Sequence, residues 1–262
     1  MKEQIKIFFT ALMFYTRIPC PKDIDHSPAY INKATRYFPL IGWIVGGISF
    51  VTYVLGAYLW DNSLAVVFAL LAGVLTTGAF HEDGLADVFD GFGGGWTKTK
   101  ILDIMKDSRL GTYGVIALIF LFLCKFLALD SLLTGIEPTD YGLLFLVFVT
   151  YHALARWTAI NIVFTSHYSR EDATSKAKPI AKTHGKAEII GAYLCGLFPL
   201  LALCWWHPLC AAVLVPLFFL YFFSKRYFER WIDGYTGDCL GAVEQLAEGV
   251  CLLTFVSLWK FM

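Results

Sequence analysis

LAVVFALLAGVLTTGAFHEDGLADVFDGFGGG, residues 64–95, is the stretch that decides the fold. Its first half, Leu64 to Phe80, is an apolar run of the kind that crosses a bilayer. Its second half opens at His81 and packs four acids, Glu82, Asp83, Asp87 and Asp90, into nine residues. Asp83, Asp87 and Asp90 fall at i, i+4 and i+7. If a helix runs on through them, their carboxylates share one face within roughly 10 Å. Three like charges so close repel each other unless a cation sits among them. An all-carboxylate donor set suits a hard ion such as Mg²⁺, which commonly takes one or two carboxylates together with substrate phosphate oxygens. The plain alternative is a solvated, acidic helix end.

Composition places that stretch in a membrane. The chain has 262 residues, is 57% hydrophobic and only 16% charged, with a mean hydropathy of +0.60. No soluble domain of ordinary composition looks like this, so the expected fold is all-α, a polytopic integral membrane helical bundle. Formal net charge is zero, which removes nucleic acid as a favoured partner. The seven cysteines form no CxxC pair and lie mostly in apolar runs, where a free thiol packs as a small hydrophobe. Neither a disulfide framework nor a zinc site is expected.

Apolar spans fall at about 37–60, 64–80, 113–134, 141–165, 188–206, 209–224 and 238–259, each near the ~20 residues a crossing needs. That makes about seven transmembrane helices, with an eighth if 5–16 inserts. The run Ile5–Tyr15 precedes Arg17-Ile18-Pro19-Cys20-Pro21. That is no small-residue cleavage site, so it reads as a retained amphipathic or re-entrant segment. Residues 1–36 form an interfacial leading segment, and 1–262 a single membrane-embedded catalytic domain with no repeat. Taking the connections alternately, 18 of the 21 basic residues fall on one side. They include Lys98, Lys100, Lys106 and Arg109 in one loop, Arg170, Lys176, Lys178, Lys182 and Lys186 in another, and Lys225, Arg226 and Arg230 in a third. The positive-inside rule therefore puts the N-terminus, the long loops and the acidic stretch in the cytoplasm.

Three further constellations could carry chemistry. Ile104 to Gly114 joins Lys106, Asp107, Ser108 and Arg109 to Gly111 and Gly114 just before the third span. Backbone N–H groups there, with Lys106 and Arg109, would suit a phosphate, or simply form a capped polar turn. Asp233 to Ala242 brings Gly237 and Asp238 to the mouth of the last span, where Asp238 either caps or functions. Glu244 and Glu248 continue into the apolar run on one face, and an acid inside a span is a functional candidate by default. Arg156, with His152, lies ~13 Å deep in the fourth span. It needs either the acidic cluster or a bound anion as partner. Lys125, mid-span, has no partner nameable from sequence. His81 could shuttle a proton, bind metal or cap a helix. Metal-binding acids and anion-binding segments at one end of a bundle are the equipment of phosphoryl-type transfer.

Five motifs occur in one order: Phe14-Tyr15-Thr16-Arg17-Ile18-Pro19, Phe38-Pro39-Leu40-Ile41-Gly42, His81-Glu82-Asp83-Gly84-Leu85-Ala86-Asp87-Val88-Phe89-Asp90-Gly91, Met105 to Gly114, and Thr236-Gly237-Asp238-Cys239-Leu240-Gly241-Ala242. Together, from near residue 8 to the C-terminus, they closely resemble the cobalamin synthase (adenosylcobinamide-GDP ribazoletransferase) family. The resemblance implies that adenosylcobinamide-GDP and α-ribazole, or its 5′-phosphate, give adenosylcobalamin, or its phosphate, and GMP, with Mg²⁺, at the bacterial inner membrane. It implies Asp83, Asp87 and Asp90 as metal holders, with Glu82 beside them. Lys106, Arg109 or Arg156 would neutralise the diphosphate, with Gly111, Gly237 and Glu244 lining the substrate site. Asp238 would complete the metal shell or orient the ribazole hydroxyl, whose proton would go to Asp90, Asp87 or His81. A homo-oligomer, or a complex with other corrinoid-pathway enzymes, is compatible with this. The acidic motif also faintly echoes the CDP-alcohol phosphotransferases, but it has Asp87 where they have Arg and lacks their long gap to a second Asp pair. The competing class is a cation-coupled transporter or channel using the intramembrane acids. A line of carboxylates across the bilayer would favour it; one cavity at one end would favour the enzyme.

Overall fold

The computed structural model describes residues 2–25, 27–169 and 184–261. Arg170, Lys176, Lys178 and Lys182 lie outside the described residues. Eleven α-helices are described: α1 (Lys2–Tyr15), α2 (Pro28–Ala34), α3 (Phe38–Leu59), α4 (Asn62–Thr77), α5 (Phe80–Gly94), α6 (Lys98–Ile104), α7 (Thr112–Thr134), α8 (Tyr141–Thr165), α9 (Lys186–Trp206), α10 (Leu214–Ile232) and α11 (Gly237–Trp259). Among the described residues, six runs are long and apolar enough to cross a membrane: Pro28–Leu59, Thr112–Thr134, Tyr141–Thr165, Lys186–Trp206, Pro208–Ile232 and Gly237–Trp259. The α4–α5 pair makes a seventh if counted as one broken span. The protein is a polytopic helical membrane bundle. An eighth crossing by 5–16 does not occur, because α1 has 14 residues and would reach only ~21 Å of the ~30 Å hydrocarbon. It buries Ile7, Ala11, Leu12 and Tyr15 against the bundle instead.

The acidic stretch is helical, as its spacing requires, but it does not continue the preceding run. Asp61 starts α4 by accepting the Leu64 N–H at 2.9 Å. The helix ends at Gly78 (φ 70°), and Ala79 follows with φ 58°. Two successive left-handed residues turn the chain, and α5 leaves at 88° to α4. The left-handed region costs a residue with a Cβ about 1–2 kcal/mol. Hydrogen bonds from Ala79 N–H to Val74 O (3.0 Å) and from Asp83 N–H to Ala79 O (2.9 Å) hold the turn. Arg17 closes over it, its N–H donating to Thr76 O at 2.8 Å, while its side chain fills the space a Cβ on Gly78 would need.

α8 is the central post, buried along nearly its whole length. α3 lies directly on it: a Cβ at Gly42 would stand 2.6 Å from the His152 carbonyl oxygen. Such small-residue contact is how helices pack closely where lipid removes the hydrophobic drive to associate. α11 packs against α5, α7 and α8. α10 runs past the expected 224 to Ile232, because Lys225, Arg226 and Arg230 add charge without breaking the helix.

Candidate functional site

α5 is the element on which the sequence motifs meet. Its N-terminal half packs on the start of α11. A Cβ on Gly84 would lie 2.9–3.3 Å from the Asp238 backbone, and one on Gly241 would lie 3.0 Å from the His81 carbonyl oxygen. Thr236 begins α11 by accepting the Cys239 N–H at 3.3 Å. The C-terminal half of α5 meets the turn before α7. Asp90 accepts the Gly111 N–H at 2.7 Å through Oδ2 and the Gly114 N–H at 2.9 Å through Oδ1, so it caps α7 from another helix. Met105 packs over Gly91.

The expected site residues divide into two layers. At the open end lie Asp83, exposed, and Asp87, half-buried. Beside them come Asp238 and Gly237 on the first turn of α11, and among the described residues nothing outside that turn lies within 4 Å of where a Cβ on Gly237 would stand. Lys106 and Arg109 are exposed on the neighbouring turn. Arg109 grips Asp107 with two nitrogens, Nη2 at 2.5 Å from Oδ2 and Nε at 3.0 Å from Oδ1. The Asp107 carboxyl is pulled down to about 2 by that side-chain hydrogen bond and by the Arg109 N–H.

Beneath α5 lies the second layer, which holds His81, Glu82, Arg156 and Glu244 together with Lys125, His152, Gln245 and Glu248, all buried. Lys125 Nζ lies 2.5 Å from Glu248 Oε2 and 3.0 Å from Gln245 Oε1. His152 Nδ1 is 2.5 Å from Glu248 Oε1. Gln245 Nε2 donates to Glu82 Oε1 at 3.1 Å and to Glu244 Oε2 at 3.0 Å. Arg156 Nη1 donates to the His152 carbonyl at 3.0 Å and stands 2.7 Å from Glu244 Oε1. No N–H is aimed at that oxygen, so the contact is an ion pair without a hydrogen bond. His81 Nδ1 is 3.7 Å from Glu244 Oε2, and neither His81 nitrogen has a hydrogen-bond partner among the described residues. Three carboxylates here face two basic side chains, Lys125 and Arg156, so the acids outnumber the bases by one.

The two layers offer different donors to a metal. Among the described residues, His152, Glu244 and Glu248 are the group whose ligand atoms lie within 4.8 Å of one another. Lys125 and Arg156 already occupy those carboxylates, and their charge opposes a divalent ion. Asp83, Asp87 and Asp238 offer oxygen donors only, at the open end, which is the donor chemistry Mg²⁺ takes, but their oxygens do not all lie within 4.8 Å of one another. Asp90 holds α7 through one N–H on each oxygen, and Glu82 points inward to Gln245.

Among the described residues, no polar line crosses the bundle. One helical turn beyond Glu248, α11 buries Cys251, Leu252 and Phe255 completely against Leu129, Leu132 and Phe148. The transporter reading is therefore unsupported, and the fold with its one-ended site defines an integral-membrane enzyme. The family profile described as cobalamin-5-phosphate synthase matches residues 7–256. The chain belongs to that family. Relatives named adenosylcobinamide-GDP ribazoletransferase include one from Shewanella halifaxensis, 42% identical over 98% of this chain and 97% of its own. One from Shewanella amazonensis is 43% identical over 99% and 98%, and one from Shewanella pealeana 41% over 98% and 97%. No solved structure matches this one significantly.

Sequence reasoning left Lys125 unpaired and did not single out Gln245, which lies between the two glutamates it helps to hold. The available signal was the i, i+4 pair Glu244/Glu248 entering an apolar run opposite His152/Arg156, also at i, i+4.

Proposed function

We propose that this protein transfers the adenosylcobinamide-phosphate group of adenosylcobinamide-GDP to a hydroxyl of α-ribazole or its 5′-phosphate, releasing GMP, with Mg²⁺ held at the open face of α5. One observation carries the site assignment: Asp83 and Asp87 face outward on α5, between the Met105–Gly114 turn and the first turn of α11. The relatives' name supports adenosylcobinamide-GDP and a ribazole as substrates; the oxygen-only donors and the open space beside Gly237 suit a metal-bound diphosphate.

Asp83 and Asp87 would hold the ion, with Asp238 next to them at the acceptor hydroxyl. When bound, Mg²⁺ neutralises diphosphate charge and favours the leaving phosphate. Lys106 supplies a second positive charge at the same end. The acceptor oxygen attacks the phosphorus that carries the cobinamide, and the bond from that phosphorus to the GMP phosphate oxygen breaks. GMP leaves with the electron pair, and Asp238 takes the hydroxyl proton. Asp90 positions α7 against α5. Arg156, Glu244 and Glu82, at most 7% exposed, act by holding α5, α8 and α11 in register rather than by touching the nucleotide.

The distribution of basic residues supports a cytoplasmic open end in a bacterial inner membrane, where a nucleotide substrate is found. The test is GMP and corrinoid formation by the purified protein in liposomes, with and without EDTA. Metal-dependent release of both products is expected. A well-folded protein that makes neither with Mg²⁺ present would overturn the reading.

A further inference from the structure

The face of α5 turned away from its acids lines a groove. At ~100° per residue, Phe92 sits about 180° around the helix from Asp83. Two hollows of about 670 and about 500 Å³ run between α5, α7, α10 and α11, and share Phe89, Tyr113 and Leu246. One opens along Ile116, Phe120 and Leu253, which face outward toward the hydrocarbon. The other ends at Arg226 and Arg230, which are i, i+4 on α10 and exposed.

Several other basic residues are paired. Lys225 pairs with Glu229, Lys98 with Asp233, Arg109 with Asp107 and Lys33 with Glu3. Arg226 and Arg230 have no carboxylate partner among the described residues. Their contacts are with rings, Arg226 over Phe222 at 4.7 Å and Arg230 over Trp231 at 6.0 Å. Two uncompensated guanidiniums thus cap a long apolar furrow that opens sideways into the bilayer.

We propose that this groove is a binding site for an anionic phospholipid, with its phosphate on Arg226 and Arg230 and an acyl chain along Phe89 and Phe120. The charge at the mouth calls for an anion, and the apolar body calls for a chain. A water-soluble nucleotide meets only the first of these demands and would have to arrive through lipid. The lipid would fill the space between α10 and α5, and so brace the helix that carries the acids from behind. The site is independent of the transferase chemistry, and its readout is binding.

The test uses the full protein in a neutral detergent, with phosphatidylglycerol or phosphatidylethanolamine added. Bound lipid is counted by native mass spectrometry, and the thermal midpoint is followed in parallel. Wild type should retain phosphatidylglycerol selectively and be stabilised by it. Arg226→Gln/Arg230→Gln should keep its lipid-free midpoint and bind phosphatidylglycerol roughly thirtyfold more weakly, at about 1 kcal/mol per arginine. Arg226→Lys/Arg230→Lys should keep most of the selectivity. Equal retention of the two lipids by wild type, an unchanged glutamine variant, or the same stabilisation by inorganic phosphate alone would each overturn the proposal.

Discussion

Lys125→Met is expected to destabilise the protein more than Glu248→Gln, although the two side chains form one pair. Lys125 Nζ lies 2.5 Å from Glu248 Oε2, and the two residues are 3% and 1% exposed. Breaking a buried pair by removing one partner costs about 3–5 kcal/mol, whereas a lone polar contact between membrane helices averages about 0.6 kcal/mol. The charge count of the cluster decides which regime applies. Lys125→Met leaves Glu82, Glu244 and Glu248 facing Arg156 alone, so a loss of about 3 kcal/mol or more is expected. Glu248→Gln leaves two carboxylates facing two cations, and its amide oxygen still reaches Lys125, so the loss should be near that of one ordinary hydrogen bond, about 1 kcal/mol. Reversible unfolding by SDS in mixed micelles, followed by helical circular dichroism, measures both. A larger loss for Glu248→Gln, or two losses both near 0.6 kcal/mol, would refute the charge-count reasoning.

Gly84→Ala places a methyl 2.9 Å from the Asp238 backbone. It should cost about 1–3 kcal/mol and lower GMP release by moving the start of α11 off the acidic face; wild-type stability and rate together would contradict that packing. Asp90→Asn should lose about 1 kcal/mol from the α7 start in the same SDS titration, with the Mg²⁺ dependence of the reaction unchanged. Asp107, held down to about 2 by Arg109, contributes its pairing above its ordinary value of about 4 and loses it as pH falls toward about 2. The group is therefore ionised throughout roughly pH 5–9. Asp107→Asn should leave the shape of the pH–rate profile in that range unaltered, and a lost inflection would show otherwise.

The spans were legible because a run of about twenty apolar residues has few other uses, and basic residues mark the alternate connections. The break between α4 and α5 was harder to read. Gly78 is a turn signal, but Ala79 and Phe80 prolong the apolar pattern, and nothing in an alanine announces a positive φ. The Asp83/Asp87 face followed from helical spacing alone. Asp90 shares that spacing, yet its partners are N–H groups 21 and 24 residues further on, which periodicity cannot reveal. Glu82 is one residue, or about 100°, off the stripe, which turns it inward to Gln245. Lys125 lacked a nameable partner for a similar reason: Glu248 is 123 residues away and meets it only through the packing of α11 on α7.

The most direct test of the two-layer site is the Mg²⁺ concentration that half-saturates GMP release, measured for wild type, Asp83→Asn, Asp87→Asn, Glu82→Gln and Glu244→Gln in the same liposomes. A rise of tenfold or more, or complete loss of activity, is expected in the two aspartate variants. The glutamate variants should keep the wild-type half-saturation, whatever they lose in stability. A half-saturation that shifts in the glutamate variants and stays put in Asp83→Asn and Asp87→Asn would move the ion into the buried cluster and contradict the account.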